Sequence, residues 1–222
     1  ALGGLGQRTH RDLFILPSLG YNQYDRLMLG GVLHNLSIPN SAFQFALSPM
    51  YSIGTGSWAG TGIMGYSFYP RQTFRKITLG LQARSFHHQE SNLNIKQSLY
   101  LRHTRFSPSL SMEFRNPVSR SPVSDVLTLQ YDGVMQQEFA YTRDPVDSLY
   151  RPTVQDAPFT QLLRLGFSHR NARTFHPYSY RLAADVNEYF LKLGLTAQLR
   201  VDYHMKRRTS FYARVYAGKF FD

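Results

Sequence analysis

The alternation that decides the fold lies in residues 190–204, which read Phe190-Leu191-Lys192-Leu193-Gly194-Leu195-Thr196-Ala197-Gln198-Leu199-Arg200-Val201-Asp202-Tyr203-His204. From Leu191 to Tyr203 every second residue is apolar or aromatic, and the residues between them are polar or glycine. A period of two places successive side chains on opposite faces of a β-strand. Strands of soluble proteins average about 5 or 6 residues, so this alternation predicts a strand of unusual length.

The same alternation recurs elsewhere in the chain. Four further segments alternate clearly, at residues 74–86, 160–170, 178–187 and 210–221. Less regular strands are predicted at residues 13–21, 26–35, 43–52, 60–69, 95–105, 106–115 and 123–137. Pro108 leaves open whether residues 95–115 form one strand or two, because proline cannot donate a ladder hydrogen bond. The sequence therefore predicts an all-β chain, a single barrel domain over residues 1–222 with roughly ten to twelve antiparallel strands.

Turn signals separate the predicted strands. They are short at residues 22–25, 70–73 and 206–209, and longer at 54–57 and 116–122. The longest predicted loop runs from about residue 142 to residue 158 and contains Pro145, Pro152 and Pro158. Outer-membrane barrels have short turns at one end and long loops at the other, so this distribution is typical of that architecture.

The two faces of the predicted strands differ in polarity. We expect the apolar face to contact lipid, with Leu79, Leu81, Leu163, Leu165, Leu191, Leu193, Leu195, Leu199 and Val201 as its clearest residues. We expect the polar face to line a lumen, with the charged residues Lys76, Arg84, Arg164, Arg181, Asp185, Lys192, Arg200 and Asp202. A soluble sandwich or lipocalin would exchange the two environments. Long apolar rows, aromatic residues near strand ends, and small polar-face residues such as Gly80, Gly166 and Gly194 favour the membrane orientation.

Composition narrows the class of protein. Aromatic residues reach 14%, which suits sheets and the interfacial girdles of membrane barrels. The chain has no cysteine, which removes disulfides and zinc–thiolate sites. No run approaches 18 consecutive apolar residues, so the sequence predicts no transmembrane helix, whereas barrel strands show only alternation. Because the chain begins at Ala1 without an initiator Met or a basic-then-apolar leader, we expect a processed protein or a piece of a longer one.

The net charge of +11 fits nucleic acid, a polyanionic membrane surface or a solvated basic face, and composition alone does not rank these partners. Inside a narrow barrel the bases would either form a plug of ion pairs or line a basic pore that favours anions. Glu113, Asp185 and Asp202 are the acidic partners that the pattern offers. An isolated buried charge costs several kcal/mol, so we expect at least one direct ion pair, with Asp185 or Asp202 bonded to a base on an adjacent strand.

A search for catalytic motifs finds none. His87 and His88 are adjacent and would point to opposite faces of a strand, so they cannot easily chelate one ion, and we place them in a polar loop near the rim. Ser168 and His169 would point apart for the same reason. No His-Glu-x-x-His motif occurs in the chain. The sequence therefore predicts no catalytic, cofactor-binding or metal-binding residue, and no enzymatic activity of this segment.

Two stretches carry a family resemblance. One is Gly20-Tyr21-Asn22-Gln23-Tyr24-Asp25, which leads into Leu27-Met28-Leu29-Gly30. The other joins Phe43-Gln44-Phe45 and Ser48-Pro49-Met50-Tyr51 to Gly62-Ile63-Met64-Gly65-Tyr66-Ser67-Phe68-Tyr69-Pro70. Together they resemble the C-terminal barrel of large outer-membrane proteins whose N-terminal part is a zinc-aminopeptidase-like domain. The first stretch is also similar to surface-antigen (BamA-like) barrels.

The resemblance implies a location in the outer membrane of a Gram-negative bacterium. The barrel would anchor a larger protein or complex there, would contact lipopolysaccharide and other outer-membrane or periplasmic proteins, and would continue past Asp222, so that its closing strands lie outside this chain. No catalytic residue is carried over, because the peptidase motif lies outside the chain. A transport or outer-membrane assembly barrel is the alternative. A soluble basic β-protein that binds nucleic acid is a third interpretation, whereas the membrane interpretations imply no nucleic acid.

Overall fold

Twelve β-strands make up the computed structural model, which describes residues 13–37, 41–94, 97–118, 120–143, 149–204 and 209–221. The strands are β1 Phe14–Asn22, β2 Arg26–His34, β3 Phe43–Ser52, β4 Trp58–Phe68, β5 Phe74–Asn94, β6 Gln97–Phe114, β7 Val123–Arg143, β8 Tyr150–Asp156, β9 Thr160–Asn171, β10 Tyr178–Val186, β11 Leu191–His204 and β12 Thr209–Phe221. Among these residues we find no helix whose length and hydropathy would let it cross a membrane. The prediction of an all-β chain with ten to twelve antiparallel strands is confirmed.

All twelve strands belong to one antiparallel sheet. Strands that follow one another in the chain are neighbours in the sheet, except that β8 and β9 both pair with β7. In the β7–β8 pair, Gln137 faces Asp156 and Arg143 faces Tyr150. The path of pairing begins at β1 and ends at β12, and the described residues contain no pairing between these two strands, so the sheet is not closed.

Strands β5 and β7 are longer than the alternation predicts, and β6 lies within the predicted residues 95–115. β5 continues to Asn94 rather than ending near residue 86, and β7 continues to Arg143. β6 runs unbroken through Pro108, which decides the question of one strand or two. The predicted long loop at residues 142–158 contains β8, most of whose residues are exposed. Residues 87–92 of β5 are all polar and show no alternation. In the β7–β8 pair Phe139 faces Val154 and Tyr141 faces Pro152, and this apolar face is too short to stand out in the sequence.

The hairpin between β1 and β2 shows how a short turn forms. Asn22 Oδ1 accepts hydrogen bonds from the backbone N–H groups of Tyr24 and Asp25, at 2.8 and 2.6 Å. This side chain thus mimics a backbone turn, which is the reason that asparagine favours such positions. Arg26 closes the turn with a φ of 57°. The predicted turn at residues 206–208 and the amino-terminal residues Ala1–Gly4 lie outside the described part of the chain.

The chain divides into two compact units. The first unit falls within Ala1–Gly65, Leu81–Phe106 and Val134–Phe159, and the second within Tyr66–Gly80, Ser107–Gly133 and Thr160–Asp222. In the first unit a small apolar cluster joins Met28, Met50 and Ala59, with Phe86 packed against it. Gly30 lies so close to β3 that an added Cβ would stand 2.1 Å from the Pro49 carbonyl oxygen. Only glycine fits there, and the two strands can therefore pair closely.

Burial is inverted relative to a water-soluble protein. Among the described residues, the buried apolar side chains are Met28, Met50, Ala59 and Leu101, whereas the buried polar ones are Asp25, Ser52, His87, Ser107 and Asp132. Large apolar side chains are exposed along nearly every strand, with Ile15, Leu19 and Tyr21 each about three-quarters exposed. Soluble proteins bury Leu, Ile and Phe and keep carboxylates outside unless these are paired. Among the described residues, few apolar side chains are therefore buried, and many large ones lie at the surface.

Candidate functional site

In the second unit the predicted polar and apolar faces are continuous across neighbouring strands. Arg164, Asp185 and Lys192 face one another across β9, β10 and β11. Apolar rows lie on either side of this row, Leu163–Val186–Leu191 and Leu165–Ala184–Leu193. A further apolar row joins Phe167, Leu182 and Leu195. Directly facing residues of antiparallel strands lie on the same side of the sheet. The alternation seen in each strand is thus in register between strands, and the two predicted sets occupy opposite faces.

Exposure of the predicted lipid-facing residues follows this arrangement. Leu79, Leu163, Leu165, Leu193, Leu195 and Leu199 are exposed, between 38 and 49%. Leu81, Leu191 and Val201 are partly buried. That these side chains contact lipid, and that the opposite face lines a lumen, stay predictions.

A network of charges occupies the polar face of the second unit. Arg164 Nε lies 3.8 Å from an Asp185 carboxylate oxygen on the adjacent strand, so the expected ion pair is present. The same nitrogen lies 3.6 Å from Asp132 Oδ2, a distance that carries charge attraction without a hydrogen bond. Asp132 is buried, and its Oδ1 accepts hydrogen bonds from Ser107 and Gln130 at 2.5 and 2.9 Å. Arg164 therefore lies between two carboxylates, of which Asp132 is also hydrogen-bonded to neighbouring side chains.

Asp132 is a site residue that the alternation did not identify. It lies in β7, whose even-numbered positions Thr128, Gln130 and Asp132 are polar, but the odd-numbered positions include Asp125 and Tyr131. Because polar residues occur at both even and odd positions, the sequence of β7 shows no clear alternation. The run Thr128-x-Gln130-x-Asp132 was the available signal, because it predicts a polar face in the centre of a strand.

The remaining predicted charges have different surroundings. Arg200 and Asp202 form an ion pair at 3.0 Å along the same strand, β11. Lys192 Nζ lies 5.4 Å from the centre of the Phe220 ring, within reach of a cation–π contact. Lys76 is partly buried, whereas Arg84 and Arg181 are exposed. Glu113, expected to pair with a base, bonds to Arg75 at 2.8 Å.

Gly166 leaves space for a neighbouring side chain on the polar face, as the sequence predicted. An added Cβ at Gly166 would stand 2.7 Å from Thr128 Oγ1, and the Arg181 guanidinium lies just beyond, at 3.8 Å. A side chain at residue 166 would therefore displace Thr128, whose hydroxyl donates to the Gly166 carbonyl at 3.2 Å. At Gly194 the nearest group is the Tyr216 hydroxyl at 4.0 Å, so this position has room for a methyl group.

A buried polar cluster surrounds Asp25 in the first unit. One carboxylate oxygen lies 2.6 Å from His87 Nδ1, and the other accepts the His87 backbone N–H at 2.9 Å and the Asn22 amide at 2.8 Å. The Thr55 hydroxyl donates to Oδ1 at 3.1 Å, and the Ser52 hydroxyl donates to the Asp25 backbone carbonyl at 2.6 Å. Because an ionised carboxylate only accepts, the His87 ring donates through Nδ1. The cluster therefore ties the β1–β2 turn to the β3–β4 turn and to β5.

The same contacts set the ionisation of Asp25. Burial raises the pKa of this carboxyl, but the hydrogen bonds from the His87 ring, the His87 backbone and Asn22 outweigh it and hold the pKa below its ordinary value. Asp25 is therefore charged at neutral pH although no part of it is exposed. His87 lies within β5, so its expected place in a loop near the rim was wrong; the segment continues as a strand because its backbone pairs and its side chain is buried against Asp25.

Three other histidines, His88, His103 and His169, lie at two separate places. His169 Nδ1 lies 2.6 Å from Asp125 Oδ1, between the rings of Tyr178 and Tyr180. His88 also lies within β5 rather than in a loop, and its ring meets the His103 ring edge-on. Within the described ranges, no three of His, Asp or Glu come close enough together to hold a metal ion.

No family model, no curated protein and no solved structure matches this chain. The functional interpretation therefore depends on the geometry of the sheet and on the two stretches that resemble outer-membrane barrels.

Proposed function

We propose that this chain is an integral β-barrel segment of a Gram-negative outer membrane, where it anchors and docks a larger outer-membrane protein or complex. The observation that carries the proposal is the inverted burial: the described strands expose leucine, isoleucine and aromatic side chains and enclose carboxylates, hydroxyls and histidine. Monomeric soluble proteins rarely expose contiguous apolar patches larger than a few hundred Å². In water, apolar surface that stays exposed contributes none of the stabilisation of about 25 cal/mol per Å² that burial gives, whereas contact with lipid removes it from water.

Strand dimensions support the same proposal. β1 to β4 have 9 to 11 residues, and β9 to β12 have 9 to 14. A tilted strand needs roughly 9 to 11 residues to cross the hydrocarbon layer. Tyr21, Tyr51 and Trp58 are exposed where strands of the first unit meet their turns. Such amphipathic rings favour the boundary between lipid and water.

A location in the outer membrane would give this chain two kinds of partner, lipopolysaccharide and other proteins. Lipopolysaccharide carries phosphate, and the 25 Lys and Arg residues against 14 Asp and Glu residues suit an anionic surface. The docking role rests on the resemblance to the barrels of larger outer-membrane proteins, which would supply a periplasmic domain as partner.

The only tryptophan of the chain offers a direct test. Trp58 is 65% exposed and packs edge-to-face on Tyr51, with ring centroids 5.6 Å apart. In vesicles we expect blue-shifted Trp58 emission that brominated lipids quench. Water-like emission without quenching, together with extraction of the protein from membranes by carbonate, would reject the proposal.

A matched pair of variants tests which face meets lipid. In a Trp58→Phe background, a tryptophan is placed either at Leu79 on the apolar face or at Gln82 on the polar face of β5. Brominated lipids should quench the emission of Leu79→Trp and leave that of Gln82→Trp nearly unchanged. Equal quenching at both positions would contradict the assignment of faces.

A further inference from the structure

A groove on the second unit combines an apolar lining with three arginines and several neutral polar side chains. It has a volume of about 410 Å³ and is lined by residues from β9, β10, β11 and β12 and from the segment between β9 and β10. This volume lies within the range of small-molecule pockets, about 300 to 1,000 Å³. Neither the resemblance nor the anchoring role assigns a ligand to it.

Four polar side chains cross the groove in a single row. Arg170 faces Ser179, Ser179 faces Gln198, and Gln198 faces Arg214, each pair on neighbouring strands. Facing side chains of antiparallel strands start about 5 Å apart at their Cβ atoms. The two arginines thus stand at the ends of the row, with a hydroxyl and an amide between them. The ends of the row are three such spacings apart, about 15 Å at the Cβ atoms, so a ligand between the two arginines would be reached by extended side chains.

The third arginine of the groove is already neutralised. Arg200 bonds to Asp202 at 3.0 Å and donates to the Thr174 carbonyl at 2.7 Å. Asp202 also accepts the Ser210 hydroxyl at 2.7 Å and the His176 N–H at 3.1 Å, so its acceptor positions are occupied. Among the described residues, no ion pair joins Arg170 or Arg214 to a carboxylate. The groove therefore holds two positive charges without a matching acid.

We propose that this groove binds a phosphate monoester. A phosphate monoester carries a charge of about −1.5 to −2 at neutral pH and has three acceptor oxygens, which match the two guanidinium groups. Arginine forks bind phosphate through paired N–H···O bonds. Ser179, Gln198 and the Tyr212 hydroxyl supply neutral donors at the same groove. The volume exceeds that of a bare phosphate ion, so the ligand has an organic body of about sugar size.

The site goes beyond the anchoring function and does not depend on it, because it rests on side chains of the second unit alone. Failure of phosphate binding by a folded, membrane-inserted protein would leave the anchoring proposal intact.

Calorimetry on the full-length protein in detergent micelles tests the site, with glucose 6-phosphate as the probe and glucose as the uncharged control. We expect glucose 6-phosphate to bind and glucose not to bind. Arg170→Gln and Arg214→Gln should each raise Kd about tenfold or more, because each removes hydrogen bonds to a charged group. Arg181→Gln is the matched control on β10, outside the groove, and should change Kd less than about twofold. Arg214→Lys keeps the charge but loses the fork, so its Kd should lie between those of the wild type and Arg214→Gln.

Further probes identify the source of the phosphate. Inorganic phosphate and vesicles with native or dephosphorylated lipopolysaccharide are compared against the same variants. Binding of native lipopolysaccharide that Arg170→Gln abolishes would identify a lipid headgroup, and binding of glucose 6-phosphate alone would identify a soluble ester; both support the site. Absence of binding by all phosphate probes to folded protein, or equal weakening by Arg181→Gln, would overturn it.

Discussion

Asp25 is a single carboxylate that holds three segments of the first unit together. Its two oxygens bond to the β1–β2 turn through Asn22, to the β3–β4 turn through Thr55, and to β5 through His87. A buried charge of this kind is stable only when all its acceptor positions are filled. The cluster is therefore expected to fix how the turns pack on β5.

Replacing Asp25 with Asn should destabilise the chain. The amide keeps the shape but presents an N–H group where Asp25 accepts a hydrogen bond, so one buried donor loses its partner. We expect the free energy of unfolding at pH 7 to fall by about 1 to 3 kcal/mol, measured by urea unfolding in detergent. Asp156→Asn, at an exposed position of β8, is the control and should have little effect.

The effect of Asp25→Asn should depend on pH. Because the folded state holds the pKa of Asp25 below its ordinary value, the charge stabilises the fold above the unfolded pKa of about 3.9. That contribution is lost as the pH falls through the folded pKa. The difference between wild type and Asp25→Asn should therefore shrink below about pH 4. A difference that stays constant from pH 7 to pH 3 would show that Asp25 ionisation does not contribute.

At the scale of elements, the two faces of β11 match the faces of both neighbouring strands. Leu195 faces Leu182 on β10 and Ala217 on β12, whereas its neighbour Thr196 faces Arg181 and Tyr216. Two adjacent residues thus belong to different environments, and each environment continues into both neighbouring strands. The same substitution made at each of the two positions can therefore distinguish the two faces of the sheet.

Leu195→Arg should destabilise the membrane-inserted protein, and Thr196→Arg should not. An arginine on the lipid face near the midplane costs about 2 to 4 kcal/mol, whereas substitutions on the polar face are tolerated. Folding of both variants into lipid vesicles, followed by urea titration, measures the difference. A negligible cost for Leu195→Arg, or an equal cost for both variants, would contradict the membrane orientation.

The sequence predicted the bounds of some strands closely and missed others. β11 was predicted almost to its ends because one face is apolar throughout. β8 and the last part of β7 were missed, since Gln137 to Arg143 pair with Asp156 to Tyr150 through backbone groups while their side chains are largely exposed. A local pattern reports the environment of side chains, and the two alternating aromatic residues Phe139 and Tyr141 were too short a signal among the polar residues around them.

At the scale of the whole chain, the buried side chains among the described residues are polar as often as they are apolar. Asp132 and the cluster around Asp25 are buried, whereas Arg164 and Asp185, which complete the ion network, are partly exposed. The hydroxyls that lie beside carboxylates in these clusters, those of Ser107 and Thr55, donate their protons to Asp132 and Asp25 as parts of hydrogen-bonded networks. Ser168, which precedes His169 in the chain, donates to the Val126 carbonyl at 3.5 Å, whereas His169 bonds to Asp125.

The purified, folded protein of 222 residues should therefore show no hydrolase activity towards peptides or phospholipids. The measurement is turnover of fluorogenic peptides and of phospholipid vesicles, with His169→Ala and His88→Ala as comparison variants. Turnover that either variant abolishes would establish a catalytic role and overturn this prediction.

The sequence alone determined the strands with a continuous apolar face, the polarity of their two faces and the β1–β2 turn, because these features depend on neighbours within a few residues. The pairing of Arg164 with both Asp132 and Asp185 depended on the register between strands, and so did the row from Arg170 to Arg214. The contact between Asp25 and His87 joins residues far apart in the chain. Only the tertiary structure decided these, since a period of two specifies the face on which a side chain lies and leaves its partner across the sheet undetermined.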